Sequence, residues 1–206
     1  MADKKIQVHF GQAMIDAFEA FAKKDIPTVA ALEDDLAHVD VALRPTLART
    51  LFGTRWMYKL GVAALVGGDE RVAHIRAQLI DYGSMAEALL SDAVRHGIAR
   101  GHLIGHAFRH SNPPTNTKAL TWAGANVATE IRRRTFNWLI LVAEEEGIVT
   151  PQLAKRLHSL RTLRNGVHLV ELAAKNIAYT LKTAKKAHTT LSLTLNATRT
   201  WVTAHP

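Results

Sequence analysis

Helical periodicity constrains this chain more than any other feature. Apolar residues return at intervals of three and four along almost every long segment, and alternating β-branched runs are nearly absent outside the Thr-rich C-terminus. An all-α protein is therefore expected. The periodic segments predict helices over roughly 4–24, 28–42, 45–66, 69–100, 117–146 and 151–203, the last open to a break.

Local signals set the boundaries. Pro27 and Pro45 stand where they can open helices, Gly67-Gly68 before Asp69 closes one helix and begins the next, and Thr150-Pro151 reads as an N-cap followed by proline in the first turn. The stretch Ser111-Asn112-Pro113-Pro114-Thr115-Asn116 is the clearest loop. Gly166 costs about 1 kcal/mol relative to Ala inside a helix. The apolar register continues across it, so helix is expected on both sides, with a bend.

A chain of 206 residues with 48% hydrophobic content can bury a core. Its length suits one domain or two small ones. There is no cysteine, which removes disulfides, thiolate metal sites and thiol nucleophiles. The opening MADKKIQVHFGQAM has no signal-peptide core and no apolar run reaches membrane-spanning length. A soluble cytoplasmic protein with no membrane partner is expected.

Charge is unevenly placed. From Thr150 to Pro206 nine Lys or Arg face the single acid Glu171, whereas residues 1–149 balance at 17 of each sign, so the whole net charge of +8 sits in the C-terminal segment. Such asymmetry implies an anionic partner, most simply nucleic acid. A solvated, lysine-rich helix face is the plain alternative.

The same segment contains LRTLRNGVHL, Leu160 to Leu169. On a helix, Arg161, Arg164 and His168 share one stripe, which continues through Glu171, Lys175 and Lys182. Beside it runs an apolar stripe of Leu160, Leu163, Val167, Val170, Ala174, Ile177 and Leu181, so the polar groups would emerge at the edge of a packed interface.

In these residues the chain resembles the HEPN superfamily, helical bundles that include many metal-independent RNases of defence, toxin and RNA-processing systems. The family motif is an Arg, usually followed by a polar residue, then four to six residues and a His near the start of the last helix. Arg164 is followed by polar Asn165 but stands only three residues before His168, whereas Arg161 has the six-residue spacing and is followed by Thr162. Upstream, LIDYGSMAEALLSDAVRHGIARGHLIG resembles the first long helix and turn of bacterial HEPN-like proteins, so the likeness covers about residues 69–190 and leaves 1–66 as additional N-terminal helices. The resemblance implies a homodimer with one motif per subunit, and in toxin systems a protein inhibitor.

RNA cleavage without a metal or cofactor uses the substrate 2′-OH as nucleophile and leaves a 2′,3′-cyclic phosphate. The protein must then move protons and stabilise the charged phosphorane. His168 suits the first task, and Arg161 or Arg164 the second, through a bidentate guanidinium. Asn165 is placed to orient the scissile group, and Glu171 to hold the imidazole tautomer. Lys175, Lys182, Lys185 and Lys186 would draw in the RNA backbone. The alternative is a non-catalytic HEPN-like module that binds nucleic acid or protein.

Other motifs favour structural readings. His102, His106 and His110 recur every four residues, but Gly101 and Gly105 weaken that helix and no acid lies between them, so no metal site is expected. Arg132, Arg133 and Arg134 precede Phe136 and Trp138, a pattern that can bind single-stranded nucleic acid, but Trp138, Leu139 and Leu141 read as core. Trp56, Met57 and Tyr58 are expected to fill core as well. No phosphate-binding glycine loop or nucleophile elbow is present.

Overall fold

A 32-residue helix carries buried side chains on most of its circumference, and the other helices assemble around it. The structure, a computed structural model, describes residues 11–64, 67–103, 126–166 and 178–206. Among these are eight helices and no strand: α1 (Gln12–Lys23), α2 (Val29–Asp35), α3 (Arg44–Ala63), α4 (Gly68–Ala99), α5 (Asn126–Arg132), α6 (Phe136–Glu145), α7 (Pro151–Asn165) and α8 (Leu181–Ala204). The all-α expectation holds.

Helix α4 is the hub because Ile75, Leu79, Tyr82, Ala86, Leu89 and Ala93 recur at three and four residues, while Met85 and Val94 add further buried positions toward its neighbours. It packs against α3, α5, α6, α7 and α8. Asp69 and Glu70 complement the partial positive charge of its N-terminus. At its other end Gly101, in the left-handed region (φ 75°), lets the amides of His102 and Leu103 bond back to the Gly97 carbonyl at 2.8 and 3.2 Å.

Threonine sets most other helix starts. Thr28, Thr135, Thr150 and Thr180 each accept a backbone N–H at 3.2 Å from the residue three positions on, opening α2, α6, α7 and α8. The Thr-rich C-terminus, the one stretch with strand-like composition, forms α8. Thr190, Thr194 and Thr198 are buried, and their hydroxyls donate to the carbonyls four residues back at 2.9, 2.8 and 3.1 Å. With the hydroxyls satisfied, these small residues and Ala184 and Ala187 form a narrow seam against α4.

Three expected helices are shorter or divided. The segment 28–42 is helical only to Asp35, after which Arg44 donates to the carbonyls of Ala37 and Val39 at 2.8 and 2.9 Å and holds the turn. The segment 117–146 divides at Arg133–Thr135, where the Thr135 cap begins α6. The segment 151–203 does not run through: α7 stops at Asn165 with Gly166 as C-cap, and α8 begins after the Thr180 cap. The stripe from Arg161 to Lys182 is thus not one helix face, and Leu181, expected on its apolar companion, is exposed.

Leu32, Leu36, Val39, Leu47 and Leu51 join the same buried cluster as α4, α6, α7 and α8. Polar contacts reinforce that union. Asp92 on α4 accepts from the Asp40 amide at 3.1 Å and from Arg95 at 2.6 Å, while Arg95 also pairs with Asp40 at 2.8 Å and Arg199 of α8 donates to the Asp35 carbonyl at 2.5 Å. Trp138 and Leu139 are core as expected, and Leu141 is half-buried. Trp56 and Met57 are only half-buried and Tyr58 is exposed, because their stretch of α3 lies over clefts rather than over the core.

Candidate nucleic-acid interface

The two arginines of α7 are used differently. Arg164 lies against α4, where its guanidinium forms an ion pair with Glu87 and sits 5.9 Å from the Phe136 ring centre. Gly83 makes the approach feasible: a Cβ there would stand 2.7 Å from Arg164 Cδ and 3.2 Å from its Cβ. The cation is therefore neutralised internally, and its side chain is 28% exposed.

Arg161, one turn earlier, has no such partner among the described residues. Its Nε is buried and meets no acceptor. It stands close to His158, whose pKa is lowered from 6.5, first by burial and then by the Arg161 charge, with Glu144 opposing. The His158 imidazole is accordingly biased to its neutral form. Asn165 is exposed at the end of α7. His168, Glu171 and Lys175, the remainder of the expected constellation, lie outside the described residues.

The basic segment separates into paired and unpaired cations. Arg164 is taken up by Glu87 and Arg199 by Asp35, at 3.9 Å in the second case. Among the described residues, Lys155, Arg156 and Arg161 on α7 and Lys182, Lys185 and Lys186 on α8 have no carboxylate partner. All but Arg161 are exposed. Helices α7 and α8 pack against each other, so these charges belong to adjoining elements rather than to distant ends of the molecule.

The arginine cluster before α6 is structural in character. Arg133 and Arg134 approach Glu130 at 3.5 and 3.7 Å, and the Arg134 guanidinium lies 5.5 Å from the Trp138 ring centre. His102 stacks edge-on against His205 with ring centres 5.0 Å apart, while His106 and His110 lie outside the described residues. Among the described residues no group of three or more metal-ligating side chains converges, and no helix is long and apolar enough to cross a membrane.

Sequence reasoning missed a second polar site. Arg55, Gln78, Tyr82, Lys185 and His188, from three helices, line one cleft. Of these only Lys185 was a candidate, as part of the basic segment. Gln78 carries a faint signal, a polar residue at a core position between Ile75 and Tyr82. The joining of Arg55, Gln78 and His188 depends on helix packing and leaves no trace in local spacing. No family model, curated protein or solved structure shows a significant match to the chain.

Proposed function

We propose that the protein is a HEPN-like helical bundle that binds RNA through the exposed basic faces of α7 and α8. The observation that carries this reading is the set of six cations, Lys155, Arg156, Arg161, Lys182, Lys185 and Lys186, without carboxylate partners among the described residues. Lysines balanced by neighbouring acids would be a solvated surface, whereas uncompensated ones on adjoining helices attract a polyanion and release its counterions. Fluorescence anisotropy with a labelled single-stranded RNA over a salt series tests it. Binding that weakens steeply with salt, and more weakly in Lys182→Ala/Lys185→Ala/Lys186→Ala, is expected. Binding indifferent to those changes would defeat the proposal.

One observation favours metal-independent RNA cleavage as a second reading. Arg161, which has the six-residue spacing to His168, is the arginine left without a carboxylate among the described residues, while Arg164 is held by Glu87. Arg161 would then steady the phosphorane and His168 would shuttle the proton, with the RNA 2′-OH displacing the 5′-oxygen to leave a 2′,3′-cyclic phosphate. Cleavage in EDTA that disappears in both His168→Ala and Arg161→Ala is the expected result. The homodimer implied by the resemblance belongs to this reading, and light scattering measures it directly.

A further inference from the structure

The α3–α4–α8 cleft encloses about 490 Å³, the size of a small-molecule site. Two of the side chains that line it carry buried atoms without partners among the described residues, and these atoms are opposite in kind. Arg55 Nε is a donor without an acceptor, and Gln78 Oε1 is an acceptor without a donor, on a residue that is only 2% exposed. Leaving such groups unsatisfied is unfavourable, and an apolar residue would fill the Gln78 position without that penalty.

The charges around them have a definite balance. Asp25 is matched by Lys59 at 3.5 Å, and Lys59 also lies over the Phe21 ring at 5.4 Å. Among the described residues Arg55 and Lys185 have no carboxylate partner, which leaves two positive groups on one cleft. Tyr82 and His188 line the same cleft, with ring centres 5.7 Å apart in an edge-on arrangement. Burial pushes the Tyr82 hydroxyl up to about 12, so it remains a donor, and burial followed by Arg55 lowers His188 and leaves it largely neutral at pH 7.

We infer that this cleft binds a small phosphomonoester, its dianionic phosphate held by Arg55 and Lys185 and a hydroxyl or amine at its other end donating to Gln78. The guanidinium fork matches two phosphate oxygens, and the second cation balances the second negative charge. The Tyr82 and His188 rings offer a wall for the body of the ligand, whether sugar or base. The site is separate from the proposed RNA face except at Lys185, which borders both.

Isothermal titration of the full chain at physiological ionic strength, with ribose 5-phosphate, AMP, ribose and inorganic phosphate as probes, tests the inference. Saturable binding of ribose 5-phosphate or AMP is expected, with ribose at least about tenfold weaker, and inorganic phosphate weaker than the phosphomonoester. A preference for AMP over ribose 5-phosphate would assign the ring wall to a base, and equal affinity would assign it to the sugar. Gln78→Leu should keep a melting temperature at or above wild type yet weaken the phosphomonoester at least about tenfold, and Arg55→Met should do the same to affinity. Absence of binding by every phosphorylated probe would overturn the inference. So would binding reduced by Lys185→Glu but untouched by Arg55→Met and Gln78→Leu, which marks diffuse attraction to the basic surface. RNA binding that persists in Gln78→Leu keeps the two sites distinguishable.

Discussion

Arg164 lays its side chain on Gly83, so closely that a methyl group at Gly83 would stand 2.7 Å from the arginine Cδ. Gly to Ala inside a helix ordinarily stabilises by about 1 kcal/mol. Here Gly83→Ala is expected to destabilise by about 1–3 kcal/mol, because Arg164 Cβ is also crowded and moves only with α7. Gly53→Ala on α3, where a Cβ meets nothing within 4 Å, should stabilise instead. Opposite shifts in urea midpoint for the two variants check the packing argument.

The division of labour between the α7 arginines predicts opposite mutant profiles. Arg164→Met removes the partner of half-buried Glu87 and should cost about 1–3 kcal/mol of stability. Arg161→Ala breaks no ion pair among the described residues and should stay within about 0.5 kcal/mol of wild type while lowering RNA affinity. Equal loss of stability in both would show that the Glu87 contact is not what distinguishes them.

Salt dependence reports the number of phosphate contacts. Each cation lost from a single-strand interface lowers the slope of log affinity against log salt by about 0.7, so the triple alanine variant at Lys182, Lys185 and Lys186 should lose about 2. An unchanged slope would move the interface elsewhere on the molecule.

Three histidines give the fold an acid-sensitive flank. Burial is the first cause that lowers His38, His158 and His188 below 6.5, followed by Arg199, Arg161 and Arg55 respectively. The unfolded chain then binds more protons than the folded one just below pH 6.5, so stability falls as pH decreases through that range and levels off above it. The melting temperature should be lower at about pH 5.5 than at about pH 7.5. His38→Gln, which cannot gain the proton and keeps a polar group near Thr198, should flatten the profile.

Much of the fold was legible because its determinants are local. The recurrence of Ile75, Leu79, Met85 and Leu89 marks α4, and Thr150-Pro151 marks the start of α7. The break after Asn165 was harder to see, since the apolar register continues across Gly166 even though the helix ends there. The Thr-rich α8 was ambiguous for a related reason. Its threonines become compatible with a buried helix only once their hydroxyls find carbonyls four residues back.

The sequence by itself determined the helical class, the starts of α2, α3, α4 and α7, and the concentration of positive charge in the last quarter of the chain. These follow from interactions spanning four residues or fewer, or from composition alone. Only the tertiary structure decided which cations remain available: Glu87, 77 residues from Arg164, neutralises one arginine of the motif and leaves the other. It likewise brought Arg55, Gln78 and His188 into one cleft. Such pairings depend on how α3, α7 and α8 pack around α4, and helix packing is selected by the whole buried surface rather than by any short run of residues.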